Sequence, residues 1–107
     1  MSADRVVVKH GDVRAEAAGL AWLVVPGGPP VVPVLEVHPD RLVLARLDEV
    51  GADPAAAERF GRQLAYLHAA GAPAFGAPPP GGPAEATIGR APMRNEPAPA
   101  WPQWYVR

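Results

Sequence analysis

Two residues near the N-terminus, Lys9 and Glu16, are the first with the types and spacing that could do chemistry. Lys9 ends the β-branched run VVVK, which is typical of a strand, and it is the only lysine in the sequence. An amine at the end of such a strand can neutralise phosphate oxygens, and a glutamate on the following helix can orient it. The alternative is a surface lysine on an edge strand beside a solvated glutamate. The two residues alone leave both interpretations open.

The three residues after Lys9 carry a second motif, His10-Gly11-Asp12, which matches the beginning of a phosphotransferase catalytic loop. In such a loop the aspartate accepts a proton from a substrate hydroxyl, and an asparagine five residues later holds magnesium. Ala17 stands at that later position and offers no oxygen to a metal. We therefore interpret the triplet as a turn followed by a helix, with Asp12 as the N-terminal cap.

The elements that must position these groups follow from periodicity and from turn residues. The sequence predicts a strand over 5–10, a helix over 13–24, two strands over 34–38 and 41–47 joined by a turn at Pro39-Asp40, and a helix over 54–70. Asp53 and Pro54 cap and begin the last helix, and Gly71 ends it. The predicted apolar faces are Val13, Ala17, Leu20 and Val24 on the first helix and Ala57, Phe60, Leu64 and Leu67 on the second.

Composition narrows the class of protein. The 107 residues include 15 prolines and 11 glycines, and most of the prolines lie in the C-terminal third, where we expect a connector and tail without regular structure. The net charge of −1 gives no electrostatic argument for nucleic acid or an anionic membrane, and the absence of cysteine excludes disulfides. No apolar run is long enough to span a bilayer. These features predict a cytoplasmic protein with no nucleic-acid or membrane partner.

A longer pattern links these pieces in order. The stretches EAAGLAWL, FGRQLAYLH followed by FG, and the series Ile88-Gly89, Pro92, Asn95, Trp101 and Trp104-Tyr105 resemble the fructosamine (ketoamine) kinase family, from about residue 5 to residue 107. This family belongs to the aminoglycoside-phosphotransferase-like kinases, within the protein-kinase-like superfamily. The resemblance implies an α+β fold with a partial protein-kinase-like N-lobe over 1–47, a hinge and helix over 48–71, and a Pro/Gly-rich irregular connector over 72–107. The N-lobe would be a small antiparallel sheet with one packing helix.

The resemblance also implies roles for particular residues. Lys9 matches the lysine that binds the phosphates of ATP, and Glu16 matches its helical partner. Leu44 matches the residue at the back of the adenine pocket. Ala45, Arg46 and Leu47 match the hinge, whose backbone groups would pair with the adenine edge. The implied cofactors are ATP and magnesium, and the implied reaction is ATP-dependent phosphorylation of a sugar hydroxyl of a ketoamine.

Departures from the family pattern bear on activity. Only the residues MSADR precede the lysine strand, where the family has a Gly-rich phosphate loop. The catalytic aspartate, the magnesium ligands and the ketoamine-binding surface have no counterparts in the sequence. We therefore expect a truncated kinase N-lobe that is inactive alone, with a second polypeptide as one source of the C-terminal lobe.

A non-enzymatic alternative rests on the tail. Trp101, Trp104 and Tyr105 stand among prolines and could form an exposed aromatic patch that docks on a partner. His68 lies in the pattern LAYLH. No residues that could form a catalytic group with it are recognisable in the sequence, so we assign it to helix packing rather than catalysis. Phe60, Leu64 and Leu67 are predicted to be core residues under either interpretation.

Overall fold

The computed structural model describes residues 5–106. They form a three-stranded antiparallel sheet with the strand order β1-β3-β2 and a separate two-stranded hairpin, β4-β5, so the α+β class is confirmed. The elements are, in chain order, β1 (Val6–His10), α1 (Arg14–Trp22), β2 (Val34–Val37), β3 (Arg41–Ala45), α2 (Pro54–Ala70), β4 (Glu85–Ile88), β5 (Ala91–Arg94) and α3 (Trp101–Tyr105).

The turn between β2 and β3 lies where the sequence predicts it. The N–H of His38 donates to the carbonyl oxygen of Arg41 at 2.9 Å, which closes a two-residue turn at Pro39-Asp40. Proline presets the backbone angle for the first turn position. β3 is the central strand and pairs with β1 from Val6 opposite Ala45 to His10 opposite Arg41. The sheet therefore brings together strands that precede and follow α1 in the sequence.

The core lies between this sheet and α1. Leu42 is fully buried, and it clusters with Val13 and Leu44. Ala17 and Leu20, one and two turns along α1, pack against the cluster at the predicted helical spacing. Because alternate residues of a strand face the same side, Leu42 and Leu44 together define the face of the sheet that α1 covers.

The bounds of α1 differ from the prediction. The residue at the N-cap is Val13, which has no capping side chain, and the helix ends at Trp22. Asp12 accepts a hydrogen bond from the Arg14 N–H instead, so its predicted role as the N-cap is wrong by one position. The same Oδ1 atom also accepts from Arg14 Nε, so both hydrogen bonds to this atom come from Arg14. Val24 lies beyond the helix and is exposed.

The bounds of α2 are confirmed, but its burial is not. The Asp53 carboxylate accepts from the Ala56 N–H at 2.7 Å, and Gly71 follows the helix with a φ of 67°. The predicted core residues Phe60, Leu64 and Leu67 are not buried, because no element of the described part packs extensively against this helix. The radius of gyration of 15.9 Å accordingly exceeds the ~13 Å typical of a compact chain of this size. No helix within residues 5–106 has both the length and the apolarity to cross a membrane.

The expectation of an irregular tail is wrong for residues 85–94, which form a hairpin, and for residues 101–105, which form α3. β4 and β5 form a hairpin whose two turn residues are Gly89 and Arg90, and Gly89 has a φ of 60° at the position where type II′ turns carry glycine. Pro92 lies opposite Thr87, next to the hydrogen-bonded Ile88–Ala91 pair that closes the turn. Hydrogen-bonded and non-hydrogen-bonded pairs alternate in an antiparallel ladder, so the missing N–H of Pro92 removes no bond.

Candidate functional site

Lys9 is held on the face of the sheet that α1 covers. It lies directly opposite Leu42 in the β1–β3 ladder, and residues that are directly opposite in an antiparallel pair share a face. The buried Leu42 therefore fixes the side from which the Lys9 side chain emerges. The turn at Gly11, where φ is 123°, then reverses the chain so that α1 begins beside the end of β1.

Glu16 comes from the first turn of α1 and meets Lys9. The Lys9 Nζ and Glu16 Oε1 atoms are 2.5 Å apart, and the two side chains are 49% and 40% exposed. An ion pair with this exposure adds only about 0–1 kcal/mol to stability. Its main consequence is orientation, because it directs the ammonium group of Lys9 towards the first turn of α1.

Asp12 is engaged by a neighbouring cation. The Arg14 Nε–H donates to Oδ1 at 2.8 Å and Nη2 donates to Oδ2 at 2.7 Å. These side-chain hydrogen bonds, with a further one from the Arg14 backbone N–H, lower the pKa of Asp12 from 3.8 to about 2. A carboxylate held in this way is a poor proton acceptor at neutral pH. This geometry favours the interpretation of His10-Gly11-Asp12 as a turn.

The segment predicted to be a hinge continues from β3. Leu44 is 7% exposed and forms part of the core. The Ala45 N–H donates to the carbonyl oxygen of Pro33, and the Arg46 N–H donates to that of Arg5. Both groups therefore extend the ladders to the neighbouring strands. Among the three hinge residues, Leu47 is the one whose N–H has no backbone acceptor within residues 5–106.

The pair and the hinge lie at opposite ends of one ladder. Lys9 is opposite Leu42, and Ala45 lies three residues further along β3, which is a separation of roughly 10 Å. The structure thus brings Lys9 and Glu16 into contact and places residues 45–47 at a distance along the same strand pair. Within the described part of the chain, no three His, Cys, Asp or Glu side chains are grouped so that they could hold a metal ion.

A cavity of about 370 Å³ lies next to the Lys9–Glu16 pair and was not foreseen from the sequence. The start of α1 contributes Asp12 and Glu16, and the β4–β5 hairpin contributes Thr87 and Met93. Asn95, just after the hairpin, also lines it and is only 8% exposed. The sequence offers no local signal for it, because its lining comes from the start of α1 and from the distant β4–β5 hairpin.

The tail aromatics are arranged by α3. The rings of Trp101 and Tyr105 stack at 4.4 Å, and both side chains are exposed. The Nε1–H of Trp104 donates to the Arg94 carbonyl oxygen at 3.1 Å. Together with the hairpin, Trp104 and Tyr105 line a shallow groove of about 230 Å³. His68 lies exposed on α2, away from both sites.

Comparisons with protein-family models, with curated proteins and with solved structures gave no match for this chain. The interpretation of the site therefore rests on its own geometry.

Proposed function

We propose that this chain is a nucleotide-binding lobe of the ketoamine-kinase type, in which Lys9 binds the phosphates of ATP and Glu16 orients Lys9. The observation that carries the proposal is the 2.5 Å contact between Lys9 Nζ and Glu16 Oε1. An isolated surface lysine would sample many rotamers, whereas a paired one is held in place before a ligand arrives.

The placement of the pair supports the same proposal. A lysine on a strand, oriented by a helical glutamate, is the arrangement with which protein kinases bind the α- and β-phosphates. Here the helix that carries Glu16 packs on the Leu42–Leu44 face of the sheet, so the pair is anchored to the core. The 45–47 segment, roughly 10 Å along the ladder, is the proposed site for the adenine edge. Leu47 N–H is the donor we assign to it.

Phosphoryl transfer needs groups that we place outside these 107 residues. A base is required for the substrate hydroxyl, and metal ions must bridge the phosphates. Asp12 is the acidic residue whose sequence motif resembles that of such a base, but the Arg14 side chain donates hydrogen bonds to both of its carboxylate oxygens. We therefore propose that the chain binds nucleotide weakly and transfers no phosphate to a ketoamine by itself. A second polypeptide that carries the base and metal ligands would complete the reaction.

Nucleotide binding can be tested by titrating a fluorescent ATP analogue into the protein. We expect Lys9→Ala to weaken binding about tenfold, since it removes a charged partner of the phosphates. Glu16→Gln should have a smaller effect, because the lysine stays but loses its orienting charge. Arg62→Ala on α2 is the matched control, because it removes one positive charge far from the site. Equal affinities for Lys9→Ala and Arg62→Ala would overturn the proposal.

The absence of transfer is tested separately by a coupled ADP-release assay with a ketoamine substrate. We expect no turnover above the buffer rate. Turnover that disappears in Lys9→Ala would show that the chain supplies its own catalytic base, and it would contradict the inactive-lobe part of the proposal only.

A second candidate function is a small partner-binding module. The stacked and exposed Trp101–Tyr105 pair favours it, because aromatic residues of this kind anchor protein interfaces. Size-exclusion chromatography with light scattering separates the two candidates. A defined oligomer that becomes monomeric in Trp101→Ala would support the module, whereas polydisperse association would support a lobe whose apolar α2 face lacks its partner.

A further inference from the structure

We propose that the apolar side of α2 packs against the same side of α2 in a second copy of this chain, with the two helices antiparallel. The contact does not depend on nucleotide binding. α2 is 17 residues long, or about 25 Å, and its ends are defined because Asp53 caps it and Gly71 follows its last turn. The helix is therefore formed before a second copy arrives, and association does not have to order it.

The apolar residues of α2 follow the spacing of a coiled-coil seam. They recur at alternating steps of three and four residues, as heptad positions a and d do, at Ala57, Phe60, Leu64 and Leu67. Ala57 is exposed, Phe60 is 53% exposed, and the two leucines are half-buried. A formed helix with this seam open to solvent has apolar surface that a second helix would cover.

Tyr66 attaches α2 to the rest of the chain from a different side. A β-carbon at Gly27 would lie 3.2 Å from the Tyr66 ring, so this ring packs against the loop that follows α1. At about 100° per residue, Tyr66 lies roughly 140° around the helix from the centre of the seam. The attachment therefore leaves most of the seam facing away from the loop.

The charges of α2 favour a second copy over a charged partner. Glu58, Arg59 and Arg62 all lie on the side away from the seam, where Glu58 and Arg62 form an ion pair at 3.2 Å. Gly61, which flanks the seam, carries no charge, and neither does His68 in its neutral form. Two copies can therefore meet along the seam without opposing like charges, whereas a charged partner would find no counter-charge there.

The order of side-chain sizes along the seam selects the antiparallel arrangement. With a twofold axis at the midpoint of α2, Ala57 faces Leu67 of the second copy and Phe60 faces Leu64. Each layer then joins a smaller side chain to a larger one, which fills the space evenly. In a parallel pair Ala57 would face Ala57 and Phe60 would face Phe60, leaving a gap in one layer and crowding the next.

Gly61 lies beside the proposed axis and sets how closely the helices approach. No atom lies within 4 Å of the position that a β-carbon of Gly61 would take, so its surface is open to a second backbone. Two heptads bury well under the ~800 Å² per copy of a standard interface. We therefore expect a reversible dimer with a dissociation constant of about 100 µM.

The dimer is tested by sedimentation equilibrium of the whole chain from about 10 µM to about 1 mM. Phe60→Glu should raise the dissociation constant at least tenfold, because it places a charge against Leu64 of the second copy. Val50→Glu adds the same charge at a residue that is 85% exposed and should have no effect. A chain that stays monomeric would overturn the proposal and leave this face to a different polypeptide. A dimer that persists in Phe60→Glu but is lost in Trp101→Ala would overturn it in favour of the tail.

Disulfide cross-linking tests the geometry independently, because the chain has no cysteine of its own. Gly61→Cys lies beside the axis and should form a linked dimer in oxidised glutathione at about pH 8. Arg62→Cys, at the same height on the opposite side of α2, is the control and should not link. Equal linking of these two variants would rule out the interface.

Ala57→Cys distinguishes the two helix directions. In the antiparallel pair the two introduced thiols are separated by roughly 15 Å along the helix axis, which is beyond the reach of a disulfide. We therefore expect no linked dimer from Ala57→Cys alone. Efficient linking of this variant would show that the helices run parallel and would overturn the antiparallel arrangement.

Discussion

The indole ring of Trp104 lies directly on Gly76, and its Nε1–H donates to the carbonyl oxygen of Arg94 at 3.1 Å. A β-carbon at Gly76 would overlap the indole and would lie 2.7 Å from the Glu96 carbonyl oxygen. Gly76 also has a φ of 75°, where other residues are strained. This contact joins the proline-rich connector to the end of the tail.

Gly76→Ala should therefore loosen the connector and tail and destabilise the chain by about 1–3 kcal/mol. The measurement is denaturant unfolding followed by tryptophan fluorescence. Gly51→Ala is the control, because Gly51 has no neighbouring atom that a β-carbon would meet. Identical unfolding midpoints for the two variants would mean that Trp104 does not pack on Gly76.

Leu42→Ala should remove the centre of the core. Leu42 is fully buried on the central strand, and large-to-small changes at such positions cost about 2–5 kcal/mol. We expect loss of the sheet signal in circular dichroism, because so small a core has little stability to spare. Val50→Ala, at a residue that is 85% exposed, should leave the spectrum unchanged. A folded Leu42→Ala protein with unchanged stability would contradict the core described above.

Asp53→Ala should fray the first turn of α2. The Asp53 carboxylate accepts from the Ala56 N–H at 2.7 Å, and the loss of such a cap costs about 1 kcal/mol. Hydrogen exchange at the Ala56 and Ala57 amides should become faster, with little change in the sheet. Asp48→Ala removes an equal charge from the loop before the helix and should have no effect on these amides. Similar exchange rates in both variants would show that the cap does not form.

The Asp12 carboxyl should titrate at about 2 rather than 3.8, because Arg14 donates two side-chain hydrogen bonds to it. A carboxyl whose pKa is lower in the folded state stabilises the fold above its ordinary pKa, and this contribution is lost as the pH falls from about 4 through 2. Arg14→Gln should return the pKa of Asp12 towards 3.8, as measured by carboxyl NMR titration. Arg41→Gln, beside Asp40, is the control. An Asp12 pKa that is insensitive to Arg14→Gln would contradict the pairing.

Local signals account for the elements that the sequence predicts well. The bounds of α2 follow from Asp53-Pro54 and Gly71, which act within one turn of the chain, and the Pro39-Asp40 turn follows from proline geometry. The sequence predicts no regular structure where the β4–β5 hairpin lies, because the C-terminal third of the chain is rich in proline and glycine. One of these prolines, Pro92, is part of β5. Pro92 removes no hydrogen bond from the ladder because it lies opposite Thr87, and this strand register is not a local property of the sequence.

The sequence by itself determined the element types up to residue 71. It also identified Lys9 and Glu16 as the two residues whose types and spacing could do chemistry. The tertiary structure decided whether those two meet, because a separation of seven residues spans a strand, a turn and a helix, and only the packing of α1 on Leu42 and Leu44 fixes their distance. It also decided burial. The apolar stripe of α2 is visible in the sequence, but burial requires a second surface, and no element of the described residues packs extensively against this helix.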